Sequence, residues 1–253
     1  MSESDLRYQD LEAKVERLTA QVRRLRDAHD VQNLVGRLSF LLEVGDYEAM
    51  VQFVAQKTPG VTIEQGARGV FEGVEGARRS MIDIERDFEA QHGRAMRRLF
   101  PDKHLEHDSW GKVESELLGT PVVEVAGDGQ TARGTWTSLM AGAKAYEHSD
   151  KPVALWIWWK TAIDFVKEDG QWKIWHWQKQ PLFATSYDKS WVDEFGPVPV
   201  DPAAMTMGAD HGGSPDRPTT SRYNRYSYTR DPKNTPEPPE AYETFREPGS
   251  YAS

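Results

Sequence analysis

The sequence predicts an α+β domain with helices first and sheet after them. Two observations carry that prediction. Apolar residues between Leu11 and Val54 recur at helical spacing, and beyond Gly111 two pairs of β-like segments meet at "AGDGQ" and "KEDGQ". A third bounds it: from about Gly196 the composition shifts to Pro, Gly, Ser, Tyr and Arg, which cannot build a core. At 253 residues and 38% hydrophobic content, the chain can hold one well-cored domain with appendages.

Taken in order, Leu11, Val15, Leu18, Val22 and Leu25 alternate steps of four and three with charged residues between them, a short heptad seam. Spacing leaves two outcomes open: the helix packs back on its own domain or zips against a partner chain. The apolar pattern continues through Val31, Leu34, Val35, Leu38, Phe40 and Leu41, read as a second helix leading to "LLEVGDYEAMVQFV". There Gly45-Asp46 reads as a break, with Asp46 placed to cap the next helix. After Pro59, Val61 and Ile63 alternate as in a short strand, Gly69, Gly73 and Gly76 mark turns, and a helix is expected from about Val74. "HGRAMRRLFPDKHLEHDSWG" reads as irregular or helical and is expected at a pocket mouth.

Residues 112–126 and 130–140 form the first expected hairpin, turning at Asp128-Gly129; residues 153–167 and 171–181 form the second, turning at Asp169-Gly170. Both faces of the second pair are apolar or aromatic. That fits sheet buried by helices on one side and by a neighbouring subunit on the other. The expected organisation is a helical extension over 1–27, a core domain over 28–195 and an extended arm over 196–253.

A net charge of −9 argues against nucleic acid or an anionic membrane as partner. The absence of cysteine excludes disulfides and thiolate chemistry and fits a reducing compartment. The start lacks a signal-peptide core and no run of about 18 apolar residues occurs, so the expectation is a cytoplasmic protein. Phosphate-loop, dinucleotide-binding and Gly-x-Ser-x-Gly motifs are missing.

The candidate chemistry lies among aromatic residues: six of nine tryptophans fall between Ala154 and Gln180, with Lys160, Asp164 and His176 among them. Strict alternation puts His176 on the face of Trp172, Ile174 and Gln178, and Lys160 on that of Trp156, Trp158, Ala162 and Asp164. Either face lines a cavity, or Lys160 and Asp164 pair at an interface and His176 is a hydrogen-bonded core residue. His104 and His107, with Glu106 and Asp108, have metal-like spacing if they lie on a helix, but no second ligand cluster accompanies them; a pocket acid–base or hydrogen-bonding role and ordinary surface histidines are the other readings. Glu43 ends an apolar helix, where burial would raise its pKa and suit it to proton transfer, while exposure would leave it an ordinary solvated glutamate. Glu114 and Glu116 share one strand face, which solubility of an edge strand would explain.

In sequence order, "LLEVGDYEAMVQFV", "GVFEGVEGARR", "LLGTPVVEVAGDGQTARGTWTS" and "IDFVKEDGQWKIWHWQKQPLFATSYDKSW" resemble the SnoaL-like branch of the nuclear transport factor 2-like superfamily. The likeness covers about residues 28–192. It implies a cone-shaped barrel of strongly bent mixed sheet wrapped by N-terminal helices around a deep pocket, and in the enzymes of the superfamily cofactor-free proton chemistry. Glu43 falls where dehydratase-like members carry an acid, Thr161 where many relatives point a polar residue into the pocket, and Lys160 where the branch is often basic. Glu116 falls near a position that holds histidine in other members, so His104 or His107 is expected to supply that imidazole.

The resulting expectation is a metal- and cofactor-free lyase for a bulky phenolic aromatic alcohol, such as a lignin-derived diarylpropane diol. Glu43, His104, His107, Lys160 and His176 are the expected catalytic groups, and Arg79, Trp136, Trp159, Thr161 and Tyr187 the expected substrate contacts. Two alternatives stay open: an isomerase, dehydratase or cyclase for a steroid-like or polyketide substrate, and a non-catalytic ligand-binding or assembly module. A homo-oligomer, dimer or trimer, is expected in each case.

Overall fold

A computed structural model of the chain describes residues 3–192, 214–219, 225–233 and 235–252. Helix α1 (Glu3–Val44) is a single element where the sequence suggested two, because "RLRDAHDV" contains neither Gly nor Pro to break it. Its first half stands clear of the domain. Its second half buries Val31, Leu34, Val35 and Leu38. Between the halves Asp27 anchors the helix, accepting hydrogen bonds from Lys167 Nζ at 2.7 Å and Trp172 Nε1 at 2.9 Å. Gly45, at φ +72°, ends α1, and the Asp46 carboxylate accepts from the Ala49 N–H at 3.1 Å to cap α2 (Tyr47–Val51).

Strands β1 (Thr62–Gln65) and β2 (Val70–Glu72) form a short antiparallel pair. Helix α3 (Gly73–Arg78) runs through one π-helical turn over 79–83 into α4 (Ile84–Leu99). Then come β3 (Val113–Leu118), β4 (Val122–Val125), β5 (Thr131–Lys144), β6 (Val153–Glu168) and β7 (Gln171–Ser186). The sheet order is β2-β1-β7-β6-β5-β3, with β4 also paired to β5 and β1 parallel to β7. It is a curved, unclosed mixed sheet with the helices on one side: the cone expected of the fold. Both hairpin turns are as read from the sequence. Gly129 has φ +69°, and Asp169 and Gly170 both have positive φ, as a tight two-residue hairpin turn requires.

The core lies between the helices and the inner face of the sheet, where Ile63, Phe71, Ile163, Phe165 and Ile174 are fully buried against Val31, Val51 and Ile82. Two bulges in β7 decide which side chains share that face. Opposite β6, Asp164 pairs with His176 but Phe165 with Ile174, so Trp175 is an extra residue; a second shift lies between Trp158 and Trp159. Simple alternation would have put His176 beside Ile174. The bulge turns it to the outer face instead.

The outer face is covered in part by the chain's own C-terminal arm. Phe245 packs on Trp175 at 4.7 Å between ring centroids, the Tyr226 N–H bonds to the Leu182 carbonyl, and Arg217 pairs with Val70 at the edge of β2. Where a neighbouring subunit was expected, this segment lies over the strands. Among the described residues no helix is long and apolar enough to cross a membrane.

Candidate functional site on the inner face

Alternation along the strands brings Glu116 of β3, Ser138 of β5, Thr161 of β6 and Lys179 of β7 to the inner face, because 116 pairs with 140, 138 with 159 and 161 with 179. Glu116 joins three of these elements. One carboxylate oxygen accepts from Ser138 Oγ at 2.5 Å and the other from Lys179 Nζ at 2.7 Å, while Ser39 of α1 donates to the Glu116 carbonyl. The Glu116 side chain is 6% exposed and that of Lys179 13%. Lys179 also lies 5.1 Å from the centre of the Trp159 ring. Trp136, Trp159 and Trp177 line this region, and the Nε1 donors of Trp159 and Trp177 are buried without a protein acceptor.

Further along the same face a second polar tier surrounds Glu114, two residues from Glu116 on β3 and therefore about 7 Å away. Lys112 and Lys144 contact its carboxylate at 3.0 and 3.2 Å, and Lys112 reaches Tyr47 Oη at 2.8 Å and Glu89 at 3.1 Å. Burial acts to raise the Glu114 pKa, but Lys144 and Lys112 outweigh it and hold the carboxyl at about 2. Burial likewise opposes the charge on Lys112, yet Glu114, Tyr47 and Glu89 keep its pKa above the usual ammonium range. Burial raises Tyr47, with Glu85 and Glu89 adding to it and Lys112 opposing. Inside the cone, then, is a matched set of charges whose members are all held by partners.

Of the residues singled out from the sequence, Trp136, Trp159 and Thr161 meet on this inner face. The others do not join them. Glu43 is exposed at the end of α1, and His104 and His107 are exposed in the turns after α4, with His107 bonded to Ser109 Oγ at 2.8 Å. Lys160 lies on the outer face, its pKa lowered by burial and by Arg230 of the arm. His176 faces outward too, bonded to Asp164 at 2.8 Å beneath Phe245. Arg79 pairs with Asp216 of the arm, and Tyr187 is exposed beside Trp156. The proposed Lys160–Asp164 pair is replaced by Asp164 with Arg133 and His176.

The sequence did not bring Glu116, Ser138 and Lys179 together. The available signal was Glu116 at a position where relatives hold histidine; its lysine partner, 63 residues away, becomes visible only once strand order is known. Among the described residues no group of three or more His, Asp or Glu is arranged to hold a metal ion.

The model of the family described as the SnoaL-like domain matches residues 23–178. A type 2 hexachlorocyclohexane dehydrochlorinase superposes with a TM-score of 0.50 at 13% identity, over 70% of this chain and 97% of that one. A type 3 dehydrochlorinase from Novosphingobium barchaimii LL02 gives 0.48 at 13%, over 70% and 99%. A putative scytalone dehydratase from Novosphingobium aromaticivorans DSM 12444 gives 0.45 at 11%, over 67% and 93%. At these identities the likeness concerns the fold alone. No curated protein matches the chain.

Proposed function

This chain belongs to the SnoaL-like domain family of the nuclear transport factor 2-like superfamily, and on that premise we propose that it is a lyase for a phenolic aromatic alcohol. The observation that carries the proposal is a proton acceptor and a proton donor, Glu116 and Lys179, 2.7 Å apart on an indole-lined inner face. Flat apolar walls suit a multi-ring substrate, and the unpartnered Trp159 and Trp177 Nε1 groups offer donors to its oxygens.

In the proposed reaction Lys179 protonates a departing benzylic hydroxyl, which leaves as water. A para-phenol that releases its own proton to solvent delocalises the charge as a quinone methide, an electron sink within the substrate. Glu116 then takes a proton from the adjacent carbon, forming the alkene. Where that carbon bears a hydroxymethyl group, Glu116 takes the hydroxyl proton, the carbon–carbon bond breaks and formaldehyde leaves. Either route leaves the phenolate, which takes a proton back from solvent, and proton transfer from Glu116 to Lys179 resets the pair. Ser138 holds the carboxylate in place.

Turnover of phenolic diaryl diols by the purified protein, followed by alkene absorbance and formaldehyde release, tests the reading. Glu116→Gln and Lys179→Met are each expected to lower kcat by about 10²–10⁴-fold, the range for loss of a general acid or base. Undiminished turnover in both variants would sink this assignment. One observation favours a binding role instead: Glu116, Lys179 and Ser138 already satisfy one another, as structural ion pairs do. Tryptophan quenching by such diols with no product formed would support that second reading.

A further inference from the structure

We propose that the projecting half of α1 forms a parallel two-stranded coiled coil with a second copy of this chain. Residues 4–26 are exposed throughout, and within them Leu11, Val15, Leu18, Val22 and Leu25 are between 49% and 72% exposed. The seam therefore does not pack back on its own domain. A helix of that length, about 35 Å, with a continuous apolar stripe in water is the kind that pairs.

Three features select the partner. Valine occupies two of the three a positions in the exposed segment (Val15, Val22, with Tyr8 the third) and leucine three of the four d positions (Leu11, Leu18, Leu25, with Ser4 the fourth), the combination that favours parallel dimers. In that arrangement Arg7 at g faces Glu12 at e of the second copy, so the flanking charges attract in both symmetry-related contacts, while the remaining g–e pairs, Lys14 with Thr19 and Gln21 with Arg26, carry no like charges. Lys14 is turned back to Asp10 on its own helix. The third is steric. At about 100° per residue, the seam lies roughly opposite the stripe of Val31, Leu34, Val35 and Leu38 that docks on the core, so two copies can join along the seam with their domains outside.

The test uses the full chain. Wild-type protein is expected to sediment at twice the 28.8 kDa monomer mass, and Leu18→Glu with Val22→Glu to sediment as monomer with an unchanged core melting transition. Because the chain has no cysteine, Ser4→Cys and Leu25→Cys, each at a d position, report orientation. Both are expected to oxidise to disulfide-linked dimers. A monomeric wild type at about 100 µM, or a dimer that survives the two glutamates, overturns the proposal; a dimer in which neither cysteine cross-links overturns the parallel arrangement.

Discussion

His92 shows how a single side chain can be held in one protonation state. The Ala145 N–H donates to its Nδ1 at 2.9 Å, so Nδ1 carries no proton, and Nε2 donates to the Trp110 carbonyl at 3.0 Å. Burial, with Lys112 and Lys144 adding to it, pushes its pKa below the usual 6.5. Between that lowered value and 6.5 the unfolded chain binds more protons than the folded one, so stability rises with pH across the window and is lost on acidification. Urea midpoints at pH 7.5 and 5.5 should fall more for wild type than for His92→Gln, which is expected to be weaker at pH 7.5 but flatter. An equal slope in both would show that the imidazole is not the responsible group. Asp164 is the other strongly held residue. It is fully buried, and one oxygen accepts from Ser250 Oγ and the Tyr251 N–H, both at 2.7 Å. Asp164→Ala, leaving Arg133 without its carboxylate, is expected to cost about 3–5 kcal/mol in chemical unfolding.

Among the elements, β7 and the C-terminal arm separate chemistry that looks contiguous in the sequence. The bulge at Trp175 sends His176 to the outer face, and the arm closes over it: the Arg133 guanidinium lies over Tyr242 at 4.7 Å and Phe245 at 5.0 Å and donates to the Arg246 carbonyl at 2.7 Å. Tyr242, raised to about 12 mainly by burial, donates to Thr131. Deleting residues 240–253 removes these contacts and exposes Asp164 and Arg133 to water. A loss of about 3 kcal/mol is expected, read as a melting point lower by roughly 6–12 °C. Turnover per folded molecule should be retained, since Tyr242, Phe245 and Arg246 contact the outer face; a truncated protein that melts normally but loses all turnover would place the arm in the reaction.

For the whole molecule, the sheet's curvature gathers charges from β3, β5 and β7 with α4 into two tiers inside the cone. Glu114 belongs to this scale, because its pKa is set by burial inside the cone and by Lys144 of β5 acting together with Lys112 immediately before its own strand. Its folded value of about 2 lies below the ordinary 4.5, so its contribution to stability is present above pH 4.5 and lost as pH falls toward 2. Glu114→Gln should lower the melting point at pH 7 by at least about 6 °C and should reduce the loss of stability between pH 5 and 3. A variant as stable as wild type at neutral pH would mean that the lysines find other partners.

Local signals in the sequence determined the helical start, the cap at Asp46, the two Asp-Gly turns and the strands between them. Each of these depends on residues within a few positions of one another, on backbone preference and apolar period. The resemblance added the cone and the family. Only the tertiary structure decided which face each group occupies: one extra residue in β7 reverses the direction of His176, and Glu116 meets Lys179 because β3 and β7 bend toward each other across β5 and β6. Side-chain direction in a strand has a period of two, so a one-residue bulge, invisible in composition, moves a candidate acid or base from one side of the sheet to the other.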